Sequence, residues 1–254
     1  IDKSEFNKNV DTDVTIKGDV KTFIRELFPL LKENTYKEWN ENIKLWKSRD
    51  IAYDEALDCS LKPKEIMDTI SELTEENSLY VTDVGQHQMW AAQYLPHREP
   101  HTFLTSGGLG TMGFGYGAAI GAKIGCPDKR VIHITGDGSF HMNLNEGCTA
   151  VSYDLPIITV ILNNKVLGMV YQWQKAFYEG RFSQTTPERK TDFVKLAEGY
   201  GVKGYRAENL EELKEAFKSA LQEKGPVWIE CIIDREERVL PMIPSGGTLK
   251  DVII

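Results

Sequence analysis

The sequence predicts an α/β fold, with a doubly wound and mostly parallel sheet that carries helices on both faces. From Lys62 onward, short apolar segments typical of strands alternate with amphipathic segments typical of helices, and this alternation indicates βαβ units. Several strand segments, such as residues 157–162, are apolar throughout, as expected of parallel strands that are covered on both faces. The residues before this region are interpreted as the tail of another α/β domain.

Residues 1–54 contain one strand pattern and two helix patterns. The segment Val14-Thr15-Ile16 alternates like a short strand. The apolar residues that fall on helical faces are Val20, Phe23, Leu27, Leu30 and Leu31 in the first helix and Trp39, Ile43 and Trp46 in the second. This is too little surface for a stable domain. We therefore assign residues 1–54 to the end of a preceding domain plus a linker near residues 47–54, and residues 55–254 to a second domain.

The remaining elements follow from periodicity and from start and stop signals. Pro63 starts a helix, where its missing N–H is harmless, and Asn209 and Gly225 are placed to cap and to end another. Asn143 and Glu146 are spaced like an N-cap and its N3 partner. Predicted helices cover residues 63–76, 87–94, 144–152, 191–200 and 210–224, and the glycine-rich segment 107–121 opens into a further helix of small residues at Phe114. Predicted strands cover 79–82, 102–104, 131–135, 157–162 and 227–233.

The composition argues against several classes of function. The 254 residues carry a net charge of −8, which offers no basic field for nucleic acid or an anionic membrane. No apolar run approaches the roughly 18 residues of a membrane-spanning helix. The four cysteines (Cys59, Cys126, Cys148 and Cys231) show no CxxC spacing, which predicts core residues or free thiols in a reducing compartment. We expect a cytoplasmic protein. Because the sequence begins with Ile1 rather than Met, an organelle transit peptide ahead of it is the alternative.

An acidic residue and two amides come directly after two predicted strands. Gly136-Asp137-Gly138 follows one of them and Asn163-Asn164 follows the next. Because the carboxyl ends of parallel strands meet at one edge of the sheet, a carboxylate and an amide oxygen are brought to one point. Mg²⁺ prefers such oxygen ligands, together with phosphate and water. The alternative is an ordinary Asp-Gly turn and an unrelated asparagine pair, and the co-occurrence of both motifs favours the metal site.

Other residues at the predicted strand ends are suited to a phosphate. Gly136 and Gly138 let backbone N–H groups approach phosphate oxygens, and the helix that follows would present its positive end to the same anion. Gln86 and His87 begin a helix directly after a strand and are candidate donors to a terminal phosphate, although solvation alone also explains polar residues there. The glycine-rich segment 106–112 is either a flexible turn or part of the same site.

Four segments of the sequence resemble a known enzyme family. They are residues 85–93 (GQHQMWAAQ), 107–113 (GGLGTMG), 168–174 (GMVYQWQ) and 239–247 (VLPMIPSGG). The motif of Asp137 and Asn164 resembles the metal-binding motif of thiamine-diphosphate enzymes. Together these residues look like the catalytic subunit of acetohydroxyacid (acetolactate) synthase, over essentially the whole chain and about the last two fifths of such a subunit. The Gln-Trp-Gln segment and the Leu-Pro-Met tail are more specific than the cofactor motif, which pyruvate oxidases and decarboxylases share.

The resemblance implies a thiamine-diphosphate-binding fold and a set of site residues. Asp137, Asn164 and the backbone carbonyl of Val166 would hold Mg²⁺. The implied cofactor-binding residues are Gly85, Gln86, His87, Gly110, Met112, Gly136, Asp137, Gly138, Ser139, Asn164 and Met169.

Four of the residues have more detailed roles in the resemblance. The backbone of Gly110 would accept a hydrogen bond from the amino group of the cofactor's aminopyrimidine, and Met112 would wedge beneath the cofactor and hold it in a folded shape. A methionine is more often core filler, so this role depends on the resemblance alone. Met169 and Trp173 would line the substrate channel, and an apolar helix face is their alternative explanation.

The resemblance also implies an activity. The family decarboxylates pyruvate and joins the product to a second pyruvate or to 2-oxobutyrate, in branched-chain amino-acid biosynthesis. Its members use thiamine diphosphate and Mg²⁺, with FAD in the full-length enzyme, where residues 1–54 would end the FAD-type domain. They form homodimers or tetramers and some bind a regulatory small subunit. The activating glutamate lies in the N-terminal domain of a partner subunit, and Glu146, the nearest candidate here, is interpreted as a helix N3 residue. We therefore expect half of an active site, inactive alone.

Three other functions are weighed against this one. Another thiamine-diphosphate carboligase, a pyruvate oxidase or a 2-oxo acid decarboxylase would share the cofactor motif, and the product formed from pyruvate would discriminate among them. A stand-alone cofactor-binding subunit that needs a partner chain is an alternative of a different class. A nucleotide-binding Rossmann domain is disfavoured, because residues 108–113 have no clear acidic partner at the end of the following strand.

Overall fold

The computed structural model describes residues 2–8, 10–48, 61–74 and 77–254. The chain forms two compact units, Ile1–Tyr53 and Asp54–Ile254. The predicted domain boundary between residues 54 and 55 lies outside the described residues, as does Cys59. The assignment of the first unit to the end of another enzyme domain stays a prediction.

The first unit contains two α-helices, α1 (Val20–Leu27) and α2 (Lys37–Lys47), and the 3₁₀ turns Lys3–Glu5 and Phe28–Leu30. Both predicted helices are therefore confirmed. The predicted strand at Val14-Thr15-Ile16 is wrong, because these residues adopt no regular structure. A strand needs a partner for its backbone N–H and C=O groups, and the described part of this unit contains no strand.

The second unit is built on one six-stranded sheet in which all neighbours are parallel, with the order β2-β1-β3-β4-β6-β5. The strands are β1 (Ser78–Thr82), β2 (Phe103–Leu104), β3 (Arg130–Gly136), β4 (Ile157–Asn163), β5 (Lys203–Ala207) and β6 (Val227–Ile232). Every residue of β4 is buried, as its uninterrupted apolar run predicts. The parallel sheet is therefore confirmed.

Helices cover both faces of the sheet. They are α3 (Pro63–Leu73), α4 (Gln86–Tyr94), α5 (Phe114–Gly125), α6 (Asp137–Phe140), α7 (Gly147–Ser152), α8 (Gly168–Phe177), α9 (Phe193–Tyr200) and α10 (Leu210–Ala220). One hydrophobic core joins α3, α4 and α10 to Ile158 and Val160, and a second joins α5, α7 and α9 to Ile157 and Ile161. This alternation along β4 confirms the doubly wound architecture. In the described ranges, no helix is long and apolar enough to cross a membrane.

The structure corrects the predicted helix 144–152 and its capping box. The segment is a 3₁₀ turn (Leu144–Glu146) followed by α7. The Asn143 amide caps no helix and instead donates to the carbonyl of Gly113 at 3.1 Å. The Glu146 carboxylate accepts from the Thr149 hydroxyl at 2.7 Å rather than reaching back to the cap. A tertiary hydrogen bond to the glycine-rich loop has replaced the local one.

Two helix ends and one strand also differ from prediction. Helix α3 ends at Leu73, before the predicted limit, and α10 ends at Ala220, so Gly225 does not terminate it. Asn209 caps α10 as predicted, accepting from the N–H of Glu212 at 3.0 Å. Strand β5 was not predicted. It lies at the sheet edge and is largely polar and partly exposed, so it has no apolar run to mark it.

Candidate functional site

A cleft with about 470 Å³ of empty volume opens at the carboxyl ends of β1, β3 and β4. Strand β1 has β2 on one side and β3 on the other, and ligands of parallel α/β sheets bind at such a change of direction. The predicted cofactor and metal residues that line the cleft are Gly85, Gln86, His87, Met112, Gly136, Asp137, Gly138, Ser139, Asn164, Val166 and Met169. Of the predicted set, only Gly110 is not among the lining residues.

Gly110 lies in the exposed loop that borders the cleft. Its φ is +68°, a left-handed conformation that glycine adopts at little cost. An added Cβ at this position would lie 3.9 Å from Val84 Cγ1, and Val84 lines the cleft. The predicted backbone role of Gly110 stays a prediction.

The two glycines beside Asp137 leave room at the end of β3. The backbone of Gly136 is extended, with φ −104° and ψ 159°, so its conformation alone does not require glycine. An added Cβ there would lie 2.8 Å from His87 Nδ1, and one at Gly138 would lie 2.8 Å from Leu167 Cδ2. Glycine is needed here because two walls of the cleft come close to the backbone. The helix that follows, α6, has only four residues, and the predicted role of a helix's positive end at this turn stays a prediction.

Asp137 is a buried carboxylate held by an arginine that the sequence did not predict. Arg189 Nη1 donates to Asp137 Oδ2 at 2.9 Å. Burial raises the pKa of Asp137 from 3.8 to about 6, and the charge of Arg189 partly offsets this rise. Arg189 lies 52 residues away in an irregular segment, and no sequence pattern marks it.

His87 presents a neutral imidazole to the cleft. Burial lowers the pKa of His87 from 6.5 to about 3, because a charged ring is disfavoured away from water. Its Nε2 is buried and has no hydrogen-bond partner in the described part of the chain. A buried polar atom without a partner is unfavourable, and a ligand in the cleft would relieve it.

Asn164 and Gln86 form one hydrogen-bonded wall of the cleft. Asn164 Nδ2 donates to Gln86 Oε1 at 3.1 Å, and the N–H of Val166 donates to Asn164 Oδ1 at 3.2 Å. Gln86 Nε2 donates to Gln172 Oε1 and to the carbonyl of Glu237. Both of its side-chain amide hydrogens are therefore engaged, and the predicted role of Gln86 as a phosphate donor stays a prediction.

Asp83 joins the glycine-rich loop to the turn after β3, a role that was not predicted from the sequence. Its Oδ1 accepts from the hydroxyl of Ser139 and from the N–H of Gly113 at 2.7 Å. Burial raises the pKa of Asp83, and these hydrogen bonds oppose the rise. Since the hydroxyl of Ser139 is engaged, the group that Ser139 can offer a ligand as a donor is its backbone N–H.

Helix α8 places the two predicted channel residues beside a second cavity. Met169 lines both the first cleft and this cavity, which has about 1080 Å³ of empty volume, and Trp173 lines the second alone. The side chain of Val170 between them is half exposed. The arrangement agrees with a path into the cleft along α8, and the channel role itself stays a prediction.

Among the described residues that line the cleft, Asp137 is the only acid. Glu146 is not one of them, since its carboxylate bonds to Thr149. The expectation that no glutamate of this chain serves as the activating carboxylate stays a prediction that this geometry supports.

A sequence model of the family described as "Thiamine pyrophosphate enzyme, C-terminal TPP binding domain" matches residues 83–231. This range begins at the residue directly after β1 and contains β3 and β4, so it includes the residues that follow all three strand ends at the cleft.

The chain belongs to this thiamine pyrophosphate enzyme family.

Curated relatives carry the name that the sequence motifs suggested. The chain is 43% identical over 262 residues to a "Probable acetolactate synthase large subunit" of Methanocaldococcus jannaschii, covering 100% of this chain and 44% of the relative. It is 42% identical to the mitochondrial "Acetolactate synthase catalytic subunit" of Saccharomyces cerevisiae, covering 100% of this chain and 38% of the relative. The predicted resemblance is confirmed, and the chain spans less than half the length of these relatives.

A solved structure supports the fold independently. The thiamine diphosphate-dependent 4-hydroxybenzoylformate decarboxylase of Rhodococcus jostii RHA1 is similar with a TM-score of 0.65 and 28% identity. The match covers 75% of this chain and 36% of that chain. The predicted fold class is thereby confirmed.

The residues of the cleft fit thiamine diphosphate, the cofactor of this family. The turn at Gly136 and Gly138 keeps side chains away from backbone that a diphosphate would approach. The unpartnered Nε2 of His87 can bond to a phosphate oxygen when it carries the ring proton. A carboxylate and an amide on neighbouring strand ends complete a polar rim.

Proposed function

We propose that this chain is the diphosphate-binding part of an acetolactate synthase, an enzyme that decarboxylates pyruvate and joins the product to a second 2-oxo acid. The observation that carries the proposal is the convergence of Asp137, Asn164 and the glycine turn on one cleft where the strand order changes direction. Similarity to acetolactate synthase subunits along the whole chain supports the substrate class.

The proposal includes Mg²⁺ as the ion that holds the diphosphate. The Asp137 carboxylate, the Asn164 amide oxygen and the Val166 carbonyl are the proposed protein ligands. All three are hard oxygen donors, which Mg²⁺ prefers. Within the described ranges, no cluster of three or more His, Cys, Asp or Glu side chains is present, so the proposed site needs the phosphate oxygens of the cofactor as well. The ion would share with Arg189 the neutralisation of the Asp137 carboxylate.

The proposed roles of the chain's own residues are binding, orientation and exclusion of water. When bound, thiamine diphosphate supplies the electron sink for decarboxylation. His87 would bond to the diphosphate as a neutral ring, and the backbone of the Gly136–Ser139 turn would donate to it. The apolar residues that wall the cleft and limit its water are Val84, Trp90, Met112, Leu162 and Leu167.

The properties of the whole enzyme are proposals of a further kind, because the chain spans less than half of its relatives. We propose that the activating glutamate comes from another domain, since Asp137 is the only acid among the described cleft-lining residues. FAD binding, assembly into a homodimer or tetramer, a regulatory small subunit and a role in branched-chain biosynthesis are proposed on the similarity to acetolactate synthases.

A simple 2-oxo acid decarboxylase is the second candidate. It is favoured by the structural similarity to the Rhodococcus decarboxylase. The two functions differ in product, since pyruvate gives acetolactate in one case and acetaldehyde in the other. Product analysis with the full-length enzyme therefore decides between them.

Calorimetric titration of thiamine diphosphate into the chain, with and without Mg²⁺, tests the cofactor site. We expect Mg²⁺-dependent binding that Asp137→Ala abolishes. Asp128→Ala is the matched control, because Asp128 is an exposed aspartate outside the cleft lining, and it should bind like the wild type. A folded wild-type chain that binds no cofactor, or an Asp137→Ala variant that binds normally, would contradict the proposal.

A further inference from the structure

An unbroken series of buried side-chain amides runs from the cleft to the C-terminal segment. Asn164 Nδ2 donates to Gln86 Oε1 at 3.1 Å, and Gln86 Nε2 donates to Gln172 Oε1 at 3.0 Å. Gln172 Nε2 in turn donates to the carbonyl of Val239 at 3.0 Å. The three amide side chains are each at most 8% exposed, so water does not compete strongly for these hydrogen bonds.

The backbone of Val239 sets the direction of the series. Its N–H donates to Gln172 Oε1 at 2.9 Å while its carbonyl accepts from Gln172 Nε2. A backbone N–H can only donate and a carbonyl can only accept, so the Gln172 amide has one favourable orientation. The oxygen of Gln172 also faces Gln86, so Gln86 must present its nitrogen to Gln172. The oxygen of Gln86 is then the atom that faces Asn164.

The direction therefore propagates to the cleft. Asn164 must present its nitrogen to Gln86, and its oxygen is left on the side where Val166 N–H donates to it. An amide nitrogen is a donor with no acceptor capacity, whereas an oxygen is what a hard divalent cation requires. A backbone peptide at residue 239 thus decides which atom of Asn164 is available to a cation.

The second hydrogen of Gln86 is also engaged. Gln86 Nε2 donates to the carbonyl of Glu237 at 2.9 Å as well as to Gln172. Primary amides have two N–H donors, so Gln86 has none left for a phosphate. Its location is tight, because a Cβ at Gly168 would lie 1.9 Å from Gln86 Oε1 and 3.0 Å from Asn164 Nδ2.

We propose that Gln86 and Gln172 are positioning residues that hold the Asn164 amide with its oxygen available to the cation. This inference depends on the proposed function, since it concerns the Mg²⁺ arm of the cofactor site. Gln86 acts on the cofactor through Asn164 rather than as a direct phosphate donor, and Gln172 couples the site to the segment Glu237–Val239.

Replacement of Gln172 by methionine tests the proposal, because methionine has a similar length and cannot donate. Loss of a group that orients a metal ligand weakens metal affinity by about 10–100-fold. We expect the Mg²⁺-dependent affinity for thiamine diphosphate, measured by calorimetry, to fall about tenfold in Gln172→Met. Affinity measured in EDTA should match the wild type. The milder Gln172→Asn, whose amide is one methylene too short, serves the same test if Gln172→Met does not fold.

Gln93→Met is the matched control. Gln93 Nε2 donates to the carbonyl of Leu240 at 2.8 Å, so it holds the same C-terminal segment but is not one of the hydrogen-bond partners of the Asn164 and Gln86 side chains. We expect this variant to bind like the wild type. A second readout needs no ligand: the side-chain NH₂ protons of Gln86 should exchange slowly in the wild type and in Gln93→Met, and faster in Gln172→Met.

The possible outcomes distinguish a failure of this inference from a failure of the proposed function on which it depends. Wild-type affinity in Gln172→Met overturns the inference, and so does an equal loss in Gln93→Met, which would mean that the C-terminal segment acts independently of Asn164. A wild-type chain without Mg²⁺-dependent binding overturns the proposed function and the inference together. A loss confined to the Gln172 variants, with wild-type binding intact, supports both.

Discussion

His133 lies in the centre of β3, and its titration should make the fold sensitive to acid. The side chain is fully buried, its ring stacks on Tyr116 with centroids 5.3 Å apart, and Nε2 has no hydrogen-bond partner among the residues described. Burial, assisted by the nearby His87, lowers the pKa of His133 from 6.5 to about 3. The native state therefore keeps this ring neutral, while the unfolded chain protonates it below pH 6.5.

The size and sign of the effect follow from linkage. Since the unfolded state binds the extra proton, stability is complete above pH 6.5 and is lost as the pH falls from 6.5 toward 3. One pKa unit corresponds to about 1.36 kcal/mol, so at pH 5, which is about 1.5 units below 6.5, the loss from His133 is about 2 kcal/mol. This is a large part of a typical unfolding free energy of about 5–15 kcal/mol.

Urea unfolding of the wild type and of His133→Gln at pH 7.5 and pH 5 measures the effect. The variant loses the stack on Tyr116 and should be less stable at pH 7.5. Its additional loss at pH 5 should be about 2 kcal/mol smaller than that of the wild type, because the titrating ring is gone. His97→Gln, which replaces an exposed histidine, should follow the wild type. Parallel losses in the wild type and in His133→Gln would refute the reasoning.

Two further predictions concern the close packing and the buried charges of the second unit. Gly136→Ala should destabilise the chain by about 1–3 kcal/mol because the new Cβ would lie 2.8 Å from His87 Nδ1. Gly121→Ala, which meets nothing within 4 Å, should instead stabilise it by up to about 1 kcal/mol, and urea unfolding of both checks the contrast. Arg206→Met should destabilise by about 1–3 kcal/mol at pH 7, since buried Glu230 loses a donor at 2.8 Å. Thermal unfolding at pH 7 tests this, and a midpoint equal to that of the wild type would contradict it.

The fold was predictable where a local pattern survives in the folded chain. The apolar runs of β3 and β4 mark buried parallel strands, and Asn209 caps α10 as its type and position indicate. Strand β5 has no such run, because an edge strand pairs on one side only and tolerates polar residues. The Asn143 cap failed because its amide bonds to Gly113, 30 residues away.

The residues of the site also divide into those that a local sequence pattern predicts and those that it does not. Asp137, Asn164 and His87 were predicted because they sit directly at strand ends, where the topology itself brings them together. Arg189 contacts Asp137 from an irregular segment. No periodicity or motif in the sequence predicts this contact. Gln172 was noted only as part of a family segment. Its direction-setting pair with Val239 depends on backbone geometry that a sequence does not contain.

The cleft also gathers features that are unfavourable for the fold by itself. Burial raises the pKa of Asp137 to about 6 even with Arg189 beside it, and His87 has a buried nitrogen without a partner in the described ranges. Gly136 and Gly168 lie where a Cβ atom would clash with the neighbouring side chains of His87 and Gln86. A sequence selected for stability alone would have no reason to place these costs around one cleft, and sites that break local rules are typically functional. In the proposed function, a diphosphate with a divalent cation would relieve the unpartnered nitrogen of His87 and the buried carboxylate of Asp137 at once. Cofactor and Mg²⁺ together should therefore stabilise the chain, by about 2.7 kcal/mol at a concentration one hundred times Kd.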